Sequence, residues 1–111
     1  MLLNFEQMEE TTVPHMRGGE GELIRRVFIN EDAKIMQGRL TPGSTIGLHT
    51  HETDSEMIYI LSGGGKVLCD GEYESLTTGS CHYCPKGHAH SLINDTDGDL
   101  VFLAMIPNHS A

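Results

Sequence analysis

The feature that most constrains this chain is its punctuation. Turn-forming residues recur at short intervals: Asn30-Glu31-Asp32, Pro42-Gly43, Gly63-Gly64-Gly65, Asp70-Gly71, Thr77-Thr78-Gly79-Ser80, Pro85 and Asp95-Thr96-Asp97-Gly98-Asp99. The stretches between them are rich in Leu, Ile, Val, Phe and Tyr, and none carries the i, i+3, i+4, i+7 apolar spacing of an amphipathic helix. Glycine supplies much of the punctuation: thirteen residues, about 12% of the chain, against a norm near 7%. Strands are predicted at Glu22 to Ile29, Lys34 to Leu40, Ser44 to His51, Glu56 to Leu61, Lys66 to Cys69, Glu72 to Leu76, Cys81 to Cys84, His90 to Asn94 and Leu100 to Ile106. Asp70-Gly71 is the two-residue loop of a type I′ hairpin. About nine strands at roughly 8–12-residue spacing make an all-β sandwich or barrel.

At 111 residues the chain is one domain, too short for a (β/α)₈ barrel. Its first 21 residues lack periodicity and are expected to form an arm, one that can add a strand to a neighbouring subunit, with the barrel running over 22–111. The longest apolar run, Leu100 to Ile106, is far short of the ~20 residues that a membrane helix needs. Met1-Leu2-Leu3-Asn4-Phe5-Glu6 has no basic segment and no long apolar stretch, so a cytoplasmic location is expected. Seven basic against sixteen acidic residues leave a net charge of −9, and the only adjacent basic pair is Arg25-Arg26. That balance argues against a nucleic-acid partner, which needs clustered positive charge.

Histidine carries the chemistry. His49 and His51 are two apart, a spacing that puts both on one face of a strand. Glu56 follows after a polar bend and can fold back onto the pair, and His90 opens a later strand. Three imidazoles and a carboxylate form a nitrogen-and-oxygen set suited to one divalent transition metal, among Mn, Fe, Co, Ni, Cu and Zn.

These residues stand in a pattern that resembles the cupins. Gly43, His49, His51, Glu56 and Gly63 match the first cupin motif at every defined position, and Gly79, Pro85, Gly87, His90 and Asn94 match the second. Ten such coincidences arise by chance on the order of 10⁻¹³ per placement. The resemblance implies a double-stranded β-helix, the jelly-roll type of barrel. It also implies a single buried metal on His49, His51, Glu56 and His90, and an Asn94 hydrogen bond at a strand end. Four ligands on an octahedral ion leave two positions for a chelating substrate, or for a substrate and dioxygen. The expected function is a metal-dependent enzyme on a small organic molecule, dioxygenase-type first and lyase, isomerase or decarboxylase second. The alternative is a non-catalytic small-molecule-binding or sensor module. Small cupins commonly pair, so a homodimer is expected, with Leu2, Leu3, Phe5 and Val13 of the arm covered by a second copy.

Three further features have ordinary explanations beside functional ones. Cys81 and Cys84 form a C-x-x-C, but in a strand their sulfurs diverge, and with three cysteines no disulfide framework is expected. The same alternation puts His82 and Cys84 on one face. The resemblance implies that the third and fifth positions after Gly79 point into the barrel, which makes His82 a pocket residue available as a general base or as a donor to a ligand; a slip of one residue would turn Tyr83 inward instead. Arg39 either projects towards the pocket, where it would clamp a carboxylate, or lies on the outer face.

Overall fold

The computed structural model describes residues 1–109, so the last two positions of the expected 22–111 barrel lie outside the described residues. The strands are β1 (Thr11–Pro14), β2 (Glu22–Ile29), β3 (Ala33–Leu40), β4 (His49–Thr50), β5 (Glu56–Ser62), β6 (Gly65–Cys69), β7 (Glu72–Leu76), β8 (Cys81–Cys84), β9 (Ala89–Ile93) and β10 (Leu100–Pro107). They form a six-stranded sheet in the order β1-β2-β3-β10-β5-β8 and a four-stranded sheet in the order β4-β9-β6-β7. Every pairing is antiparallel. The two inner faces meet over one core, built from Leu23, Leu40, Ile58, Ile60, Val67, Leu92, Leu100 and Phe102. Among the described residues no helix is long and apolar enough to cross a membrane.

The four motif glycines hold the turns for a single reason. Gly43, Gly63, Gly79 and Gly87 all have φ between 76° and 89°, a region costly for any side chain. Gly63 has a second constraint, because an added Cβ would lie 2.2 Å from the Asp99 carbonyl oxygen.

Two local outcomes differ from the predicted pattern. Ser44 to His51 is not one strand. Only His49–Thr50 pairs regularly, because the backbone before it is shared between two partners. Ile46 donates to the Leu92 carbonyl at 2.8 Å, while Thr45 and Gly47 donate to Glu20 and Met16 at 2.8 and 3.0 Å. The other difference is the arm. Thr11–Pro14 pairs with β2 of the same chain, Thr11 opposite Arg25 and Pro14 opposite Glu22. Leu3, Phe5 and Val13 are already half-buried by their own chain, and Leu2 remains 93% exposed.

Asn94 ties the barrel's ends together. Fully buried, it donates to the Leu40 carbonyl at 2.7 Å and to the Gly98 carbonyl at 2.8 Å, and its own oxygen accepts from Thr96. Asn94→Ala leaves the Leu40 carbonyl without this donor, so it should lower the unfolding free energy by about 1–3 kcal/mol in urea titration. An unchanged midpoint would show the bond to be dispensable.

Candidate metal centre

His49 and His51 flank Thr50 at the edge of the small sheet, and His90 lies directly opposite His49 across the β4–β9 pair. Glu56 opens β5 in the large sheet. Their ligating atoms all lie within 4.8 Å of one another, and all but the half-exposed His49 are buried. The structure therefore brings together the four side chains singled out by spacing.

The protonation of each ring follows from its partners. His49 donates from Nδ1 to the Gly47 carbonyl at 2.7 Å, and His51 donates from Nδ1 to the Asp54 carboxylate at 2.6 Å. His82 donates from Nδ1 to Glu74 at 2.8 Å, which leaves its Nε2 as an acceptor for the Nδ1–H of His90 at 3.0 Å. Each of the three central imidazoles thus has its proton on Nδ1 and offers Nε2. Such outer partners commonly fix the ring of a metal ligand.

What the Nε2 atoms face is the test of fit. His51 Nε2 and His90 Nε2 stand 2.9 Å apart, and Glu56 Oε1 lies 3.2 and 2.9 Å from them. Two nitrogen lone pairs and a carboxylate pointing at one spot repel unless a proton or a cation lies between them. Donors at right angles on an ion about 2.1 Å away stand about 3.0 Å apart, whereas tetrahedral ones stand about 3.4 Å apart. The observed spacings lie nearer the octahedral value. The donor set fits a divalent transition metal.

The electrostatics agree. Burial works against the Glu56 charge, but in the metal-free protein the His51 and His90 rings, with a proton in the cation's place, outweigh it and hold the carboxyl at about 2 instead of 4.5. Burial also opposes charge on His51, yet Glu56 and Asp54 raise it above its ordinary value. His49 and His82 are lowered, chiefly by burial, so both are neutral at pH 7.

The cavity beside these groups is about 40 Å³, room for roughly three water molecules. Phe102, Met36 and Ile106 form its apolar wall, and Arg25 and Lys34 bring positive charge. Arg25 Nε is buried with no hydrogen-bond partner among the described residues. Arg39 is not in this cavity: it lies on the outer face, paired with Glu10 and Asp99. The alternation Leu23, Arg25, Val27 on β2 puts Arg25 on the same side as the fully buried Leu23.

His82 and Cys84 point inward and Cys81 and Tyr83 outward, as strand alternation requires. His82 does not face the converging donors, however. It stands behind His90, bonded to the nitrogen that points away from them. Of the two expected roles, general base in the pocket or partner to a ligand, this place fits the second, since His82 meets the converging groups through His90. Asp54 and Glu74 were not singled out from the sequence. Asp54 had a local signal, three residues after His51 in a polar bend, whereas Glu74 reaches His82 only through the fold. His88 is half-exposed and paired with Asp70, away from the cavity lining.

Comparison with known proteins agrees with this geometry. Residues 36–106 match the family described as "Cupin domain". A Thermotoga maritima protein described as "Oxalate-binding protein" is 32% identical over 112 residues, covering 96% of this chain and 93% of that protein. A crystal structure from T. maritima, described as a predicted oxalate decarboxylase, superposes with a TM-score of 0.90 at 31% identity, covering 97% of this chain and 99% of that one. A Streptococcus pyogenes protein of unknown function gives a TM-score of 0.71 at 26% identity over 80% of this chain and 76% of its own.

The shifts of Glu56 and His51 give the metal-free protein a definite pH profile. Glu56 is depressed, so its contribution is full above 4.5 and is lost as pH falls towards 2. His51 is raised, so its contribution is full below 6.5 and is lost as pH climbs through its folded value. His49 and His82 are lowered, so their contributions run the other way, full above 6.5 and lost as pH falls below it. The histidines offset one another, and urea midpoints measured in chelator should fall clearly on the acid limb, as pH drops from about 4.5 towards 2. Glu56→Gln should flatten that limb, and an unaltered profile would contradict the assignment.

Proposed function

Because the chain belongs to the cupin family, we propose that it holds one divalent transition metal on His49, His51, Glu56 and His90 and binds a small dicarboxylate of the oxalate class there. The observation that carries this is charge. A divalent ion with the Glu56 and Asp54 carboxylates is neutral, and Arg17, Arg25 and Lys34 add three positive charges around a small cavity. A compact dianion meets both conditions. The description of the T. maritima relative as oxalate-binding supports the same choice.

When bound, the metal would supply Lewis-acid attraction for two carboxylate oxygens. The protein's own groups do the rest. Gly47, Asp54 and His82 hold the three imidazoles with Nε2 forward, and Glu74 orients His82 in turn. Arg25, whose buried Nε lacks a partner, offers its guanidinium to the far end of the ligand. Phe102, Met36 and Ile106 exclude water and strengthen these charge interactions.

A second function, decarboxylation of the bound acid, is favoured by the description of the T. maritima structure. Formate release would establish it, and oxygen uptake would instead favour the dioxygenase class. We also infer a homodimer that covers the exposed Met1 and Leu2; a monomer in light scattering would refute it.

His51→Ala should abolish stoichiometric metal binding, read by elemental analysis, with the barrel still folded. Calorimetric titration of the Mn-loaded protein with oxalate should give binding that metal removal eliminates. Arg25→Ala should weaken that binding roughly 10–100-fold at unchanged metal content. His82→Ala should lower metal affinity about 10–100-fold, as expected for the partner of a ligand. Oxalate binding that is indifferent to both metal and Arg25 would refute the proposal.

A further inference from the structure

Behind His90, on the side away from the cavity, lies a second set of ligating groups. Cys69 ends β6 in the small sheet and Cys84 ends β8 in the large one. Their sulfurs and a ring nitrogen of His82 lie within 4.8 Å of one another, and all three residues are buried. We propose that Cys69, Cys84 and His82 form a second metal site, selective for soft, thiolate-seeking ions such as Cu(I), Zn²⁺ or Cd²⁺.

The chemistry of the two sites differs. Two sulfurs and one imidazole are the soft donor set that such ions prefer over the nitrogen-and-carboxylate set nearby. With zinc–sulfur distances of about 2.3 Å and zinc–nitrogen distances of about 2.1 Å, donors around one ion stand roughly 3.5–4 Å apart. The limit of 4.8 Å thus leaves only side-chain adjustment to be made. His82 gives a nitrogen only by releasing one of its two partners, half-exposed Glu74 or His90, and either change frees the His90 proton from its fixed place, so filling this site opposes filling the nitrogen site.

Other uses of the thiols fit less well. Burial pushes Cys84 up to about 12 and also raises Cys69, so neither is a nucleophile at neutral pH. Cys81, the formal C-x-x-C partner of Cys84, is exposed on the opposite face of β8 and takes no part. The sulfur that meets Cys84 comes instead from Cys69, on another strand.

The test uses Cd²⁺ as probe and the metal-free full chain carrying Cys81→Ser, so that the exposed thiol does not contribute. Sulfur-to-cadmium charge-transfer absorption should grow to a plateau and persist when His49→Ala is added. It should fall by at least tenfold in Cys69→Ser and in Cys84→Ser. Cys69→Ala, at a position that touches solvent, serves if a Cys84 variant misfolds. No charge-transfer band, or a band undiminished in the Cys69 variants, would overturn the proposal. Only sulfur ligation is read, so failure here is distinguishable from failure of the nitrogen site.

Discussion

Which nitrogen of each imidazole carries the proton decides what the centre of this barrel can do. With the proton on Nδ1, three lone pairs converge beside a carboxylate; with any one reversed, a donor would point at the place where a cation belongs. Three different acceptors enforce the choice: a main-chain carbonyl at Gly47, a carboxylate at Asp54, and an imidazole at His82 that is itself held by Glu74. The Gly47 amide is bonded to Met16, so even the N-terminal segment helps to orient a ring that lies over thirty residues later.

The same centre reverses the charge of the molecule locally. The chain as a whole carries −9, yet Arg25 and Lys34 face the cavity, and Glu56 is the carboxylate among the four converging groups. Long-range forces therefore would not draw the proposed dianion in, and its recognition would fall on contacts made inside. A small apolar-walled cavity suits that division, because charge pairs gain strength where water is excluded.

Much of this was legible in the chain because it is local or periodic. Gly43, Gly63, Gly79 and Gly87 mark turns that need positive φ, and the spacing of His49, His51, Glu56 and His90 is set by strand alternation and hairpin length. Parity put His82 and Cys84 on one face, and the resemblance turned that face inward. What stayed hidden depends on strand order. That Glu74 backs His82, that Arg25 and not Arg39 lines the cavity, and that Cys69 meets Cys84 are all products of sheets closing on each other. The short β4 was hidden for the same reason: the residues before it divide their backbone bonds between β9 and the N-terminal segment.

The distribution of the four converging groups has a mechanical consequence. His49, His51 and His90 belong to the four-stranded sheet or its edge, and Glu56 belongs to the six-stranded one. An ion seated among them would act as a rivet through both walls. Its edge strand β4 is only two residues long and is held by few ladder bonds. Slow opening of the mouth would then be the motion that the ion suppresses most, so that residence of the cargo and breathing of the barrel would be governed by one event.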